Sequence, residues 1–570
     1  MSVLVGTKYN KATIDESYDA IVIGSGMSGL TAAALMSRAG RRVLVLERHY
    51  TAGGFTHSYL RKGFEWDVGV HYIGEVHKRL SPMRQAFDLI TEGRLQWAHM
   101  GEVTDSIIMG DERFDYRKGR RRVRADLIER FPDEVKAIDA YFGKLDTVHA
   151  VTMPAFFASK LAPSWMSGAA SLLQRVPGAD YFRRSTREVL ESCTSNEKLI
   201  GVLLGQWGDY GAPPAKSAFA MHALVAGHYL DGGNFPVGGS SEIARSIEPT
   251  IEKSGGAVVV DADVAEILID KQGARGVRMA DGREIRAGQV ISAAGFFTTC
   301  MKLLPEDVRR KYGFEEQTRK VRPSIGHLGL YIGLDGSPSE LQLPKNNFWI
   351  YPGYDHDANM AAFETPDDEF PIVYISFPSS KDPSWEARYP GKSTIEVVSP
   401  VPFEWFEQWE REPWRKRGPE YEAFKKKLSD RLLEHVFARV PQARGRVAYH
   451  ELSTPLSTAH FCNYSRGEVY GLEHTPDRFA QAFLRPATPI KNFYMTGQDT
   501  LFCGVGSALF AGILTSSVAM GAKGLAVLPD LLRGQDVPKL RAATDGKKPE
   551  KAKESAGGRS GRKLDPAPIA

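Results

Sequence analysis

Short apolar runs alternate with helix-forming stretches near the start of the chain and again in its middle third. Ile21-Val22-Ile23 suits a strand buried on both faces, Leu30 to Arg38 has the Ala-rich composition of a helix, and Val43 to Leu46 is a second buried strand. Gly24, Gly26 and Gly29 stand between the first strand and the helix as G-x-G-x-x-G. There the first glycine permits a tight turn and the second lets backbone approach a pyrophosphate. The third lets helix and strand pack closely, and the helix N-terminus presents free N–H groups. Glu47 closes the second strand 18 positions after Gly29, where a carboxylate can accept hydrogen bonds from an adenosine ribose. Strand, helix, strand and acid at these spacings predict a dinucleotide-binding unit.

The middle third repeats this pattern. Phe235-Pro-Val-Gly-Gly239 leads into a predicted helix, Ser241 to Lys253, followed by strands at Ala257 to Val260 and Val264 to Ile269. Gly276 to Met279 and Arg283 to Ile285 flank Ala280-Asp281-Gly282 as a hairpin, and Val290 to Ala294 reads as one more strand. Gly101 to Leu230 is rich in helix formers and includes a Pro-punctuated stretch with Trp165, Met166, Leu172, Leu173, Val176, Tyr181 and Phe182. Strand runs return at His327 to Leu334 and Pro371 to Phe377, and Phe424, Leu428, Leu432 and Val436 keep helical spacing until Pro441. Thr500 to Ala522 carries no charge and is long enough to span a bilayer, but Gly504, Gly506, Gly512 and Gly521 favour a buried helix.

At 570 residues the chain is too long for one core. Its formal charge of +4 resides in the last thirty residues, where eight Lys/Arg face four Asp/Glu. The remainder is balanced, which argues against a nucleic-acid partner. That tail is poor in large apolar residues and is expected to be disordered. Cys193, Cys300, Cys462 and Cys503 show no CxxC spacing, and none of the 14 histidines stands in a strong metal-binding spacing, so no metal is expected. Residues 1–17 lack the apolar core of a signal peptide, and a cytoplasmic location is expected.

Specific resemblance rests on three segments. Glu47-Arg48 is followed at a fixed distance by Gly53-Gly54, then by FEWDVGVHYIG from Phe64 to Gly74, and far away by TGQDTLFCGVGSALFAG from Thr496 to Gly512. These resemble the FAD site of the amine oxidase and phytoene desaturase superfamily, with the retinol saturase and carotenoid isomerase branch the nearest in pattern. The resemblance covers roughly Tyr18 to Leu525. It implies an α/β fold: a Rossmann-like FAD-binding domain of the GR2 type, assembled from 18–100, 232–300 and 485–530, and an α+β substrate domain with a mixed sheet from 101–231 and 301–484, before the tail 531–570.

The same resemblance implies non-covalent FAD held by Gly24, Ser25, Gly26, Met27, Ser28 and Gly29. It adds Glu47, Arg48, Gly53, Gly54, Phe55 and Thr56, then Val264 near the adenine, Gly497, and Asp499 near the ribityl or pyrophosphate region. An N-cap is the structural alternative for Asp499. Gly506 and Ser507 would offer N–H groups at the pyrimidine end of the ring, where a helix N-terminus stabilises developing negative charge. His71 and Tyr72 are the candidate proton donors, with a packing role as the structural alternative, followed by His57, His460 and Tyr464. Hydride exchange at a C–C bond of a long apolar lipid (a carotenoid, a retinoid-like isoprenoid or a fatty acyl chain) is the expected reaction. Reduced-FAD isomerisation, amine oxidation and non-catalytic FAD binding are the alternatives. No second G-x-G-x-x-G occurs, so electrons are exchanged with an external redox partner, and a peripheral membrane surface is a further candidate partner.

Overall fold

The computed structural model describes residues 3–161 and 176–521. The tail 531–570 and the stretch with Trp165, Met166, Leu172 and Leu173 lie outside them. The apolar runs of the sequence form a parallel core in the order Thr7–Lys8, Ala257–Val260, Val43–Leu46, Ser17–Ile23, Glu284–Ser292. All four residues of Val43–Leu46 are no more than 1% exposed. Burying a Val or Leu side chain contributes about 1.5–3 kcal/mol, so this short run holds its place by burial alone.

Of the strand expected at Val290 to Ala294, Val290 to Ser292 form the last third of one strand, Glu284–Ser292. From Arg286 onward one edge pairs with Ser17–Ile23. The other edge pairs first with Gly273–Met279, antiparallel, and then with Phe493–Met495, parallel. The run expected at Arg283 to Ile285 continues into this strand, because Arg286, Ala287 and Gln289 keep the ladder to Ser17, Tyr18 and Ala20. Helix Met27–Arg38 starts three residues earlier than its apolar pattern suggested, directly at the glycine turn. The uncharged segment after Asp499 is helix Val505–Ala519, packed on Met27–Arg38. A Cβ at Gly512 would lie 2.5 Å from the Ser28 carbonyl oxygen, so the crossing requires glycine. Among the described residues no helix is long and apolar enough to cross a membrane.

A second, mixed sheet has seven strands, in the order Val447–Ser453, Gly326–Asp335, Lys392–Val401, Val373–Ser376, Asn347–Tyr351, Val103–Met109, Glu112–Arg117. The helical reading of Gly101 to Leu230 therefore needs correcting at its start, where Val103–Met109 and Glu112–Arg117 are strands. Alternation decides their faces. Ile107 and Met109 join Trp349 and Tyr351 under the helices that follow, up to Phe219–Tyr229. Ile108 joins Phe348, Ile350, Leu428, Leu432 and Val436 under helix Gly418–Arg439. The hairpin Ser58–Arg61/Phe64–Asp67 bridges the two sheets, and Trp66 Nε1 donates to the Ile332 carbonyl at 3.1 Å.

Candidate active site

The glycine turn is built for a ligand rather than for its own packing. Gly24 has φ of +95°, which favours glycine, and a Cβ at Gly29 would lie 2.2 Å from the Gly24 carbonyl oxygen. Gly26 differs, because a Cβ there would meet nothing within 4 Å. It opens on a cavity of about 690 Å³, in the range of small-molecule sites. A second glycine turn backs onto the first: the Gly53 N–H donates to the Ser25 carbonyl at 3.2 Å and hydroxyl at 3.1 Å. Beside them the unobstructed N-terminus of Met27–Arg38 faces the same space. An open cradle, free N–H groups and a nearby carboxylate fit a dinucleotide pyrophosphate and ribose.

Glu47 is partly committed to the protein. Its Oε2 accepts the Ser25 N–H at 2.8 Å and hydroxyl at 2.7 Å, and its Oε1 accepts the His49 N–H at 2.8 Å. Arg48 donates to the His460 carbonyl at 2.7 Å and stands 3.7 Å from Asp263. Gly24, Gly26, Met27, Ser28, Glu47, Arg48, Gly53, Gly54, Phe55, Thr56 and Val264 all line the cavity, whereas Ser25 and Gly29 support it from behind. His57 is buried beside them with its ring nitrogen 2.6 Å from the Gly54 carbonyl; burial brings its pKa down to about 3.

At the opposite wall, Gly504 with φ of +87° starts helix Val505–Ala519, and Gly497, Gly506 and Ser507 line the cavity. Asp499 does not. Its carboxylate accepts the Phe296 N–H at 2.6 Å and the Leu472 N–H at 2.9 Å. Asp499, expected from the sequence to contact the cofactor, caps the turn at Phe296 and ties the loop at Leu472, and so shapes the wall. Arg478, also unforeseen, is buried and donates to the carbonyls of Leu472 at 2.7 Å, Leu501 at 2.9 Å and Gln498. His474 accepts the Cys503 N–H at 2.9 Å. The wall is thus fixed by polar side chains that face away from the cavity.

Between these walls the lining is mostly apolar, with Val70, Met153, Phe157, Leu224, Ile372 and Val398 among it. Polar groups gather where the two sheets meet. His71 lines the cavity and its Nδ1 lies 3.0 Å from Glu396 Oε2. Burial pushes Glu396 well above the usual carboxylate range and brings His71 down to about 3, with Lys381 and His327 adding to the latter. Glu396 Oε1 accepts the Asp67 N–H at 2.7 Å, which leaves Oε2 facing His71 Nδ1. Burial disfavours a cationic His71. Beneath it the buried Lys381, brought down to about 7 by burial, donates to the His71 carbonyl at 2.9 Å, to Ser376 Oγ at 2.7 Å and to Asn347.

Tyr72 stacks on Tyr229 at 4.0 Å and donates its phenolic O–H to Asp209 Oδ2 at 3.0 Å. Burial raises the phenol well above its ordinary value, and its proton already has an acceptor. Tyr464 accepts from Gln498 at 3.0 Å and lines the cavity, while His460 stacks on Trp414 away from it. Sequence reasoning missed Asp209, Glu396, Lys381 and Arg478. The available signal was a lone charge inside an apolar strand, as at Glu396 between Ile395 and Val397. Among the described residues no cluster of three His, Cys, Asp or Glu is placed to hold a metal.

Comparison with known proteins agrees with this geometry. The family described as flavin containing amine oxidoreductase matches residues 27–309. The chain is 37% identical to an all-trans-retinol 13,14-reductase of Danio rerio over 533 residues, covering 89% of this chain and 86% of the relative. It is 25% identical to the chloroplastic prolycopene isomerase of Arabidopsis thaliana over 532 residues, covering 90% and 84%. Among solved structures, putrescine oxidase bound to putrescine superposes with a TM-score of 0.57 at 15% identity, covering 88% of this chain and 98% of that one, which speaks for the fold alone. With its GR2-type fold, its open glycine cradle and a relative this close over most of both chains, the protein belongs to the all-trans-retinol 13,14-reductase family within the flavin containing amine oxidoreductases, and is an FAD-dependent oxidoreductase.

Proposed function

We propose that the protein reduces one carbon–carbon double bond of a long conjugated isoprenoid, an alcohol of the retinol type being the first substrate to test. The observation that carries this reading is a single cavity that runs from the Gly26 cradle to a mostly apolar chamber, with its few polar groups gathered around His71 and Asp209. Such a chamber offers little to hold an amine or a sugar and much to hold a polyene. The relative at 37% identity, an all-trans-retinol 13,14-reductase, supports the same substrate class.

Gly24, Gly26, Gly53 and Gly54 would hold the pyrophosphate, Glu47 the ribose, and Gly506 and Ser507 the ring. Reduced FAD, when bound there, supplies a hydride. The chain's own contribution is to exclude water from the chamber, to orient the polyene along Leu224, Ile372 and Val398, and to keep a proton at hand. A visiting electron donor is part of the proposal, as is collection of substrate at a cytoplasmic membrane surface.

Purified protein should be yellow and should release FAD on denaturation. Incubated without oxygen, with dithionite and all-trans-retinol, it should yield a product two hydrogens heavier with shortened conjugation. A change of double-bond geometry at constant mass would instead favour isomerisation, the activity named for the Arabidopsis relative. Protein that cannot be loaded with FAD would end the proposal.

A further inference from the structure

We propose that Asp209 is the acid that protonates the substrate, with Tyr72 as its positioning residue. This rests on the reductase reading above and deepens it.

Four carboxyl groups line the cavity. Glu47 is spent on Ser25 and His49, Glu75 pairs with Lys78 at 3.9 Å, and Asp263 faces Arg48 at 3.7 Å. Asp209 has none of these ties. It follows Trp207 and Gly208 on the wall of the apolar chamber, and among the described residues its carboxyl receives a single hydrogen bond, from Tyr72 to Oδ2. The groups around it are neutral: the phenols of Tyr72, Tyr229, Tyr374 and Tyr470, and the Cys503 thiol, which donates to the Asp209 backbone carbonyl at 3.5 Å. The Tyr210 and Tyr351 phenols complete the surroundings. The nearby Lys381 is committed to three oxygen acceptors. The one further acid is Asp105, buried and satisfied by Asn347 at 2.9 Å, Trp349 at 3.0 Å and Gln206 at 2.8 Å.

A carboxyl in such a place keeps its proton. Burial, reinforced by Asp105 and opposed by the Tyr72 bond, pushes Asp209 up to about 8. It is thus an acid at neutral pH, set in an apolar wall, and poised near the pH at which general acids work best. Its neighbours are less suited: burial disfavours a cationic His71, and Tyr72 gives its own proton to Asp209.

The step balances as follows. A hydride, with its electron pair, would come from FAD reduced by the external two-electron donor and would add to one end of the double bond or its conjugated extension. The π electrons would take the Asp209 proton at the other end; the O–H bond breaks and a C–H bond forms. The carboxylate left behind is stabilised by the Tyr72 O–H until water returns a proton.

Two measurements test this. In the FAD-loaded protein, infrared titration should show a protonated-carboxyl stretch at pH 7 that disappears with a midpoint near 8, absent in Asp209→Asn and shifted upward in Tyr72→Phe. Asp209→Asn should bind FAD and accept electrons from dithionite as wild type does, yet lose about 10²–10⁴-fold in turnover, while Asp209→Glu regains part of it. In D₂O with dithionite the wild-type product should carry two solvent deuteriums, one arriving as hydride, since dithionite-reduced flavin takes that hydrogen from solvent, and one from the acid. An Asp209 that is already ionised at pH 6, or an Asp209→Asn variant within twofold of an active wild type, overturns the assignment of the acid and leaves the reductase reading intact. Wild-type protein that loads FAD but reduces no polyene overturns the reductase reading, and the role of Asp209 with it.

Discussion

Ser25 and Glu47 are joined twice, through the serine N–H at 2.8 Å and its hydroxyl at 2.7 Å, both to the same carboxylate oxygen. The acid that closes the second strand therefore sets the shape of the turn that closes the first, before any ribose arrives. Glu47→Gln keeps the volume and removes the charge from these bonds. A hydrogen bond to a charged group contributes about 1.5–3 kcal/mol, so FAD affinity should fall by about tenfold to a hundredfold. Flavin fluorescence titration checks this, and unchanged affinity would mean that neither the ribose nor the turn depends on the charge.

Gly26 and Gly29 should separate cofactor binding from folding. Gly26→Val places its side chain in open space at a φ of −61°, so the apoprotein should fold normally and fail to bind FAD. Gly29→Val drives a carbon into the Gly24 carbonyl and should unfold the chain or leave it insoluble. Circular dichroism with flavin content, measured on both, decides. A Gly26→Val protein with full flavin would show that the pyrophosphate lies elsewhere.

For Asp499 the expectation is a loss of stability with and without cofactor. Asp499→Ala leaves the Phe296 and Leu472 N–H groups buried without acceptors, at about 1–3 kcal/mol each. Urea denaturation of apoprotein should show most of the deficit. A variant destabilised only in the FAD-loaded form would support the direct cofactor role read from the sequence.

Asp209 should make stability depend on pH in a recognisable direction. Its folded-state value is raised, from the ordinary 3.8 to about 8, so between those limits the folded state holds a proton that the unfolded state has lost. Its contribution is fully present below about 3.8 and declines as pH rises to about 8, by at most about 1.4 kcal/mol per unit. Asparagine does not titrate. The stability of Asp209→Asn relative to wild type should accordingly climb from pH 5 to 8 and level off above. A difference that stays flat or shrinks with pH would place the group's titration outside that window.

The cofactor half of the site was legible because its constraints are local. Gly24, Gly26, Gly29 and Glu47 lie within one turn and two strands, and backbone rules fix their spacing. The strand Val43–Leu46 could be read to the residue because nothing but a buried strand accommodates four such side chains in a row between polar flanks. The far half of the cavity was legible only in part. His71 and Tyr72 were singled out, but the carboxyl groups they meet, Glu396 and Asp209, come from the mixed sheet and from a turn before helix Phe219–Tyr229. No sequence spacing links residues that meet across two sheets. The two backbone amides that Asp499 holds were not legible, since a G-x-D looks the same whether its carboxylate faces a ligand or the protein's own N–H groups.

The strand Glu284–Ser292 has a consequence for biosynthesis. Its last third stays open on one edge until Phe493–Met495 arrives, and Met27–Arg38 waits as long for Val505–Ala519. Protein chains are made from the N-terminus, so a ribosome that stops anywhere before Phe493 releases a glycine cradle without its opposite wall. Such fragments should be colourless, while every yellow molecule has been translated at least through helix Val505–Ala519. Flavin colour then serves the experimenter as a check that synthesis has passed that point.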